Sequence, residues 1–150
     1  MEKRLRKLLP NGAFGKVTTK RSRQMATVRG SGNKSTESRL RFAMVGAGLR
    51  GWKLRPKHLP GKPDFFFPKQ GVAVFVDGCF WHGCPRCGHL PKANSAFWRE
   101  KILGNQERDL RVRNLLTDQG INVIRFWEHE LAADLNSCLA KVAEAVNPKA

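Results

Sequence analysis

The run Val72-Ala73-Val74-Phe75-Val76, followed without a break by Asp77-Gly78-Cys79-Phe80-Trp81-His82-Gly83-Cys84, constrains this chain most. A continuous apolar run of strand length fits a strand covered on both faces. It leads straight into an acid and then into Cys79, Cys84 and Cys87, so the following loop is held by something other than its own core. In a chain without a secretory signal, that clustering reads as metal before disulfide. Three thiolates and one imidazole make a closed tetrahedral zinc site, structural rather than catalytic. The fourth ligand is either His129, which would tie a distant strand end to the loop, or the nearby His89. A redox dithiol at Cys84-Pro-Arg-Cys87 is the rival reading, and the additional Cys79 argues against it. Cys138 stands apart on a helical face and reads as a small buried apolar residue.

Around this loop the pattern is that of one α/β domain with a mixed sheet. Its 150 residues suit a single core. A helix is predicted from Ser35 or Thr36 through Leu40 and Met44 to about Gly48. Asp64-Phe65-Phe66-Phe67 forms a short strand, and Pro68-Lys69-Gln70-Gly71 turns it into the apolar run. Asn94 or Ser95 caps a long helix with a break at Gly104, and Gly120 closes it as a left-handed cap. Asn122–Trp127 is a third strand, parallel to the apolar run because a helical crossover joins them. One last helix carries Leu131, Leu135, Cys138, Leu139 and Val142 on one face.

The net charge of +16, from 28 Lys and Arg against 12 Asp and Glu, excludes an ordinary enzyme of neutral metabolites and points to a polyanion. No segment offers the run of about eighteen apolar residues that spans a bilayer, so a membrane is not expected. Met1–Leu9 mixes Lys3, Arg4, Arg6 and Lys7 with leucines and is no secretory signal, so a cytoplasmic location is expected. Of the 28 basic residues, 12 lie in residues 1–41 against only Glu2 and Glu37. Residues 1–17 read as a basic extension, either DNA-contacting or merely solvated, and 18–150 as the folded domain. Lys20, Arg21, Arg23 and Arg29 are expected to engage phosphates.

Within the domain, two acids near the ends of paired strands, Asp64 and Asp77, can converge on one divalent cation. That is the arrangement phosphodiester hydrolysis by Mg²⁺ needs. Spacing alone leaves a turn role for Pro63-Asp64 open. His82 is of the residue type suited to accept a proton from water near neutral pH. Phe80 and Trp81, on a pinned loop, read either as exposed wedges that unstack a base step or as a plug packed on the core.

The motifs Lys20-Arg-Ser-Arg-Gln-Met25, Thr36-Glu37-Ser-Arg-Leu40, Leu59-Pro-Gly-Lys-Pro-Asp64, Val74-Phe-Val-Asp-Gly-Cys-Phe-Trp-His-Gly-Cys84, Leu90-Pro-Lys-Ala-Asn94, Phe97-Trp98, Asn105-Gln-Glu-Arg-Asp109 and Val123-Ile-Arg-Phe-Trp-Glu128 occur in this order. Over about Thr19 to Leu131 the chain resembles the very short patch repair endonucleases, bacterial DNA mismatch endonucleases. The resemblance implies a restriction-endonuclease-like core with structural zinc. It also implies a Mg²⁺-dependent nick 5′ to the thymine of a T·G mispair, the lesion left when 5-methylcytosine deaminates. Asp64 then matches the metal-binding carboxylate, with the Val76 carbonyl as second ligand. His82 matches the residue that activates water, and Glu37 and Asp109 the supporting acids. Phe80 and Trp81 match the wedges, with Met25 as their partner, and Cys79, Cys84, Cys87 and His129 the zinc ligands. Some relatives carry histidine in place of Asp77, so that acid is either a further metal ligand or a hydrogen-bonding neighbour. A monomer is expected, acting on duplex DNA alone or with mismatch-repair proteins or a cytosine methyltransferase.

Overall fold

The structure, a computed structural model, describes residues 34–147 together with Leu5 and Leu8. Met25, Lys20, Arg21, Arg23, Arg29 and nearly all of the basic extension lie outside the described residues.

The elements run α1 (Lys34–Gly46), β1 (Lys53–Leu54), β2 (Phe65–Phe67), β3 (Val72–Asp77), α2 (Ser95–Asp118), β4 (Asn122–Trp127), α3 (Glu128–Ala133) and α4 (Leu135–Val146). The strands form one mixed sheet in the order β1-β2-β3-β4. β1–β2 and β2–β3 are antiparallel, and β3–β4 is parallel, with Val72 opposite Asn122 and Asp77 opposite Trp127. The helical crossover thus gives the parallel pair the sequence predicts.

All of β3 is buried because the sheet is covered on both faces. Side chains alternate along a strand. Phe65, Phe67, Val72, Val74 and Val76 join the core built with α1, α3 and α4, around Leu40, Met44, Leu131 and Val142. Phe66, Ala73 and Phe75 face Leu59 and, on α2, Val112 and Leu116. The same alternation puts Asp64, Asp77 and Arg125 on the α2 side, since they stand two residues from Phe66, Phe75 and Val123. On α2, Asp109 precedes Val112 by three residues and so shares the stripe that faces the sheet. The acids of the site are brought together by a two-residue period meeting a helical one.

Four local expectations are corrected. A two-residue strand, β1, is present where none is predicted. α2 runs through Gly104 without a break. Its helical hydrogen bonds and the packing at both ends outweigh the roughly 1 kcal/mol that one glycine costs. Asn94 sits at the N-cap but in the left-handed region (φ 58°), and its side chain makes no capping bond. The last helix is two, because Asp134 leaves helical geometry and its carboxylate accepts the Ser137 N–H to start α4. The end of α2 is as expected. Gly120, at φ 77°, donates to Thr117 and Ile121 to Leu116, the paired bonds of a Schellman cap. Cys138 lies in the core with Val142 and Leu131.

Candidate active site and metal centre

β3 runs on beyond the start of β2, so past Val74 its outer edge has no strand partner. Asp64 fills that edge, its Oδ2 accepting the Val76 N–H at 2.7 Å. In an antiparallel pair the N–H and C=O of one residue point to the same side. The Val76 carbonyl is therefore directed to the edge that Asp64 occupies. Burial pushes the Asp64 carboxyl up to about 6, against the pull of the Val76 N–H, with Glu37 and Asp77 raising it and Arg55 lowering it. Glu37, from α1, is buried and ion-paired with Arg55.

His82 is buried on the loop after β3, and its Nδ1 lies 2.6 Å from Asp109 Oδ2. A carboxylate here accepts from Nδ1–H, and in the neutral imidazole that leaves the lone pair on Nε2. Nε2 faces Asp77 Oδ1 at 3.9 Å. Asp77 is held at both oxygens by Arg125, with Nε at 2.8 Å and Nη2 at 2.9 Å. Asp77 is thus a hydrogen-bonding partner of Arg125. Asp64, Val76, Asp77, His82, Asp109 and Arg125 line one cleft of about 580 Å³, with Arg55, Lys62, Lys101, Asn105 and Arg108 along its walls. Arg55 (φ 43°) and Lys62 (φ 47°), both in left-handed backbone, present cations at its rim. Lys69 lies on the exposed turn between β2 and β3 and does not line this cleft.

The loop is anchored from α2 as well. Asn105 Nδ2 donates to the Trp81 carbonyl at 2.9 Å and Gln106 Nε2 to the His82 carbonyl at 3.3 Å. Phe80 and Trp81 are half-buried rather than fully exposed. Both meet Trp98 edge-on, with ring centroids 5.5 and 5.8 Å away. The Lys101 ammonium lies 5.7 Å from the Trp81 ring centre. They form a packed aromatic ledge beside the cleft, which answers to part of each sequence reading.

Cys79, Cys84, Cys87 and His129 gather with their ligand atoms all within 4.8 Å of one another, a set that could hold a metal ion. His89 is not part of this group. His129 Nδ1 lies 3.4 Å from Cys79 Sγ and 3.6 Å from Cys84 Sγ. Tetrahedral bonds of about 2.3 Å to sulfur and 2.0–2.1 Å to nitrogen would put these atoms about 3.6 Å apart. Burial pushes the Cys79 thiol up to about 11. Burial works the same way on Cys84, but N–H donors from Cys87, Arg86 and Gly88 outweigh it and lower that thiol. The Cys79 N–H donates to Glu128 Oε1 at 3.0 Å, a second tie from the loop to the end of β4.

Sequence reasoning placed Glu37, Asp64, Asp77, His82 and Asp109, and the structure brings them to one place. It missed Arg125 and Arg55. A lone arginine inside the apolar stretch Val123-Ile-Arg-Phe-Trp was the available signal for the first. Asn105, Gln106 and Trp98 were visible as motif members without an assigned task.

The family model described as DNA mismatch endonuclease Vsr matches residues 16–87. The chain is 42% identical over 131 residues to the type II nicking enzyme V.NaeI of Lentzea aerocolonigenes, covering 85% of this chain and 76% of that protein. It is 38% identical over 120 residues to the type II nicking enzyme V.XorIIP of Xanthomonas oryzae pv. oryzae, covering 79% and 86%. The DNA mismatch endonuclease Vsr of Escherichia coli K12 is 34% identical over 110 residues, covering 72% and 69%. Sheet, cleft and relatives together define the class, a DNA endonuclease. Within that class the chain belongs to the DNA mismatch endonuclease Vsr family.

Proposed function

We propose that this protein nicks duplex DNA on the 5′ side of the thymine of a T·G mispair, by Mg²⁺-dependent hydrolysis within a restriction-endonuclease-like core. The observation that carries the hydrolytic reading is the Asp109–His82 pair, 2.6 Å apart, in the same cleft as the buried Asp64. The choice of mispair rests on the family motifs and on the E. coli relative, whose name is that of a mismatch endonuclease.

The residues fit a hard divalent cation. Asp64 is buried and its carboxyl is raised first by that burial, with Glu37 and Asp77 adding to the rise, an excess of negative charge that a cation relieves. Asp64 and the Val76 carbonyl would hold Mg²⁺, both through oxygen. When bound, Mg²⁺ supplies charge neutralisation at the scissile phosphate. Asp109 keeps the His82 proton on Nδ1, and Nε2 takes a proton from the attacking water. Asp77, 3.9 Å from Nε2, would stabilise the imidazolium once Nε2 carries that proton, and Glu37 anchors Arg55 beside Asp64. Zn²⁺ in the Cys₃His cluster would stiffen the loop that carries His82, Phe80 and Trp81. Those two aromatics insert at the mispair with Met25, where poor pairing makes unstacking least costly. Lys20, Arg21, Arg23 and Arg29 add phosphate contacts.

The test is one nicking assay on labelled T·G, other mismatched and fully matched duplexes, with Mg²⁺ and with chelator. The expected result is a single-strand break at the T·G duplex with Mg²⁺ only. Equal cutting of matched DNA overturns the mispair assignment, and no break under any condition overturns the enzyme.

A further inference from the structure

The Asp77 carboxylate, the Asp109 carboxylate and Arg125 form a group whose purpose packing does not explain. Arg125 projects from β4 opposite Phe75, on the face that carries Val123, and its guanidinium carbon lies 4.3 Å from the Phe75 ring centre. An apolar side chain would fill that position at less cost. Its Nη1 is buried with no hydrogen-bond partner, which costs stability. The other two nitrogens are fully engaged. Nε and Nη2 grip both oxygens of Asp77, and Nη2 also reaches Asp109 Oδ1 at 3.4 Å. The second oxygen of Asp109 holds His82.

Burial opposes the charge on Arg125, but the bond to Asp77 and the fields of Asp77, Asp109 and Asp64 outweigh it, so the side chain stays a cation. Below Asp109, α2 touches the sheet through Val112 and Leu116. At Asp109 itself, an ion pair ties α2 to β4.

We infer that Arg125 is a positioning residue of the hydrolytic site, clamping Asp77 on β3 and Asp109 on α2 so that His82 is held between them. The inference rests on the nuclease reading above. A planar guanidinium meets two carboxylates at once, whereas an ammonium is a single point of charge.

The test uses the whole protein with Arg125→Met, which keeps the stacking volume on Phe75, and Arg125→Lys. Single-turnover nicking, duplex affinity by anisotropy, and the low-field Nδ1–H proton line of His82 are read for each. Arg125→Met is expected to slow nicking about 10–100-fold, as removal of an orienting partner does. Duplex affinity should stay within about twofold, the His82 line should be lost, and Lys should restore little. Parental nicking by Arg125→Met overturns the clamp, as does a rate loss matched by equal loss of duplex binding. If Arg125→Met does not fold, the double variant Asp77→Asn, Arg125→Gln replaces the ion pair by two amides that can bond each other. A folded double variant that nicks at the parental rate overturns the inference, and one that is slowed upholds it. If the parental protein itself cuts nothing, the nuclease reading fails, and the His82 line alone decides the clamp. Its dependence on Arg125 upholds it and its indifference overturns it.

Discussion

Asp64 stands where an ionised carboxylate is expensive. Burial dominates the rise of its carboxyl to about 6, from 3.8 when free, and the fields of Glu37 and Asp77 add to it. The folded chain then binds this proton more tightly than the unfolded one. Without added Mg²⁺, the contribution of Asp64 is least costly below pH 4 and becomes fully unfavourable above pH 6. Over that window, urea titrations should show Asp64→Asn gaining on the parental protein by about 2–3 kcal/mol as pH rises. The same variant should nick nothing. A parental pH profile unchanged by Asp64→Asn would show that the carboxylate is solvated. Asp109→Asn keeps the shape of its partner but offers His82 no anion to fix the Nδ1–H. Nicking should fall about 10²–10⁴-fold, measured in single turnover, with duplex affinity nearly unchanged. Such residues were legible in the chain because their chemistry is scarce among apolar neighbours: an acid ending an apolar strand, a histidine between cysteines. Arg125 was not, since its meaning lies in two partners 16 and 48 residues away, joined only by register and helix phase.

At the scale of elements, the strands and the long helix follow from periodicity, and their boundaries from local chemistry that is harder to read. The continuous apolar run became a strand buried on both faces, as its composition requires. The split of the last helix turns on Asp134, which is equally at home inside a helix or capping one. β1 escaped notice because two exposed residues carry no pattern, and only pairing with β2 defines it. Two glycines make the point testable. A Cβ on Gly88 would lie 2.6 Å from the Cys84 carbonyl oxygen and 3.1 Å from that of Cys79, both rigid backbone. Gly88→Ala should therefore open the Cys₃His cluster, read as a lower metal content after purification and a lower melting temperature. Gly120 has open space around it, and only its φ of 77° resists a side chain. Gly120→Ala should cost about 1–2 kcal/mol in urea denaturation with metal content intact. Equal metal loss in both would mean that the tight turn at Gly88 is not what shapes the cluster.

Across the whole molecule the excess of positive charge does what no single residue does. A net charge of +16 surrounds a cleft whose lining sets Asp64, Asp77 and Asp109 among Arg55, Lys62, Lys101, Arg108 and Arg125. Phosphates are drawn in from a distance by the overall excess and met close to by those side chains, while the three acids repel them unless a metal ion intervenes. Affinity for matched duplex should fall about 10³-fold or more between roughly 50 and 200 mM NaCl if six or more phosphates are neutralised. Phe80→Ala should leave that salt slope unchanged while narrowing the preference for a mispair, both read by fluorescence anisotropy. A shallow slope would mean that few phosphates are touched and that the basic residues serve solubility.

The pairing of His129 with Cys79, Cys84 and Cys87 also sets an order of events during synthesis. The three thiols leave the ribosome first, then all of α2 and β4, and only then the imidazole. Until His129 is made, the cluster lacks its fourth donor, and β4, which carries Arg125, has only just become available to pair with β3. A nascent chain therefore carries an incomplete cutting site for most of its elongation. The contacts that shape the cleft of this DNA endonuclease are thus completed only after β4 has been made.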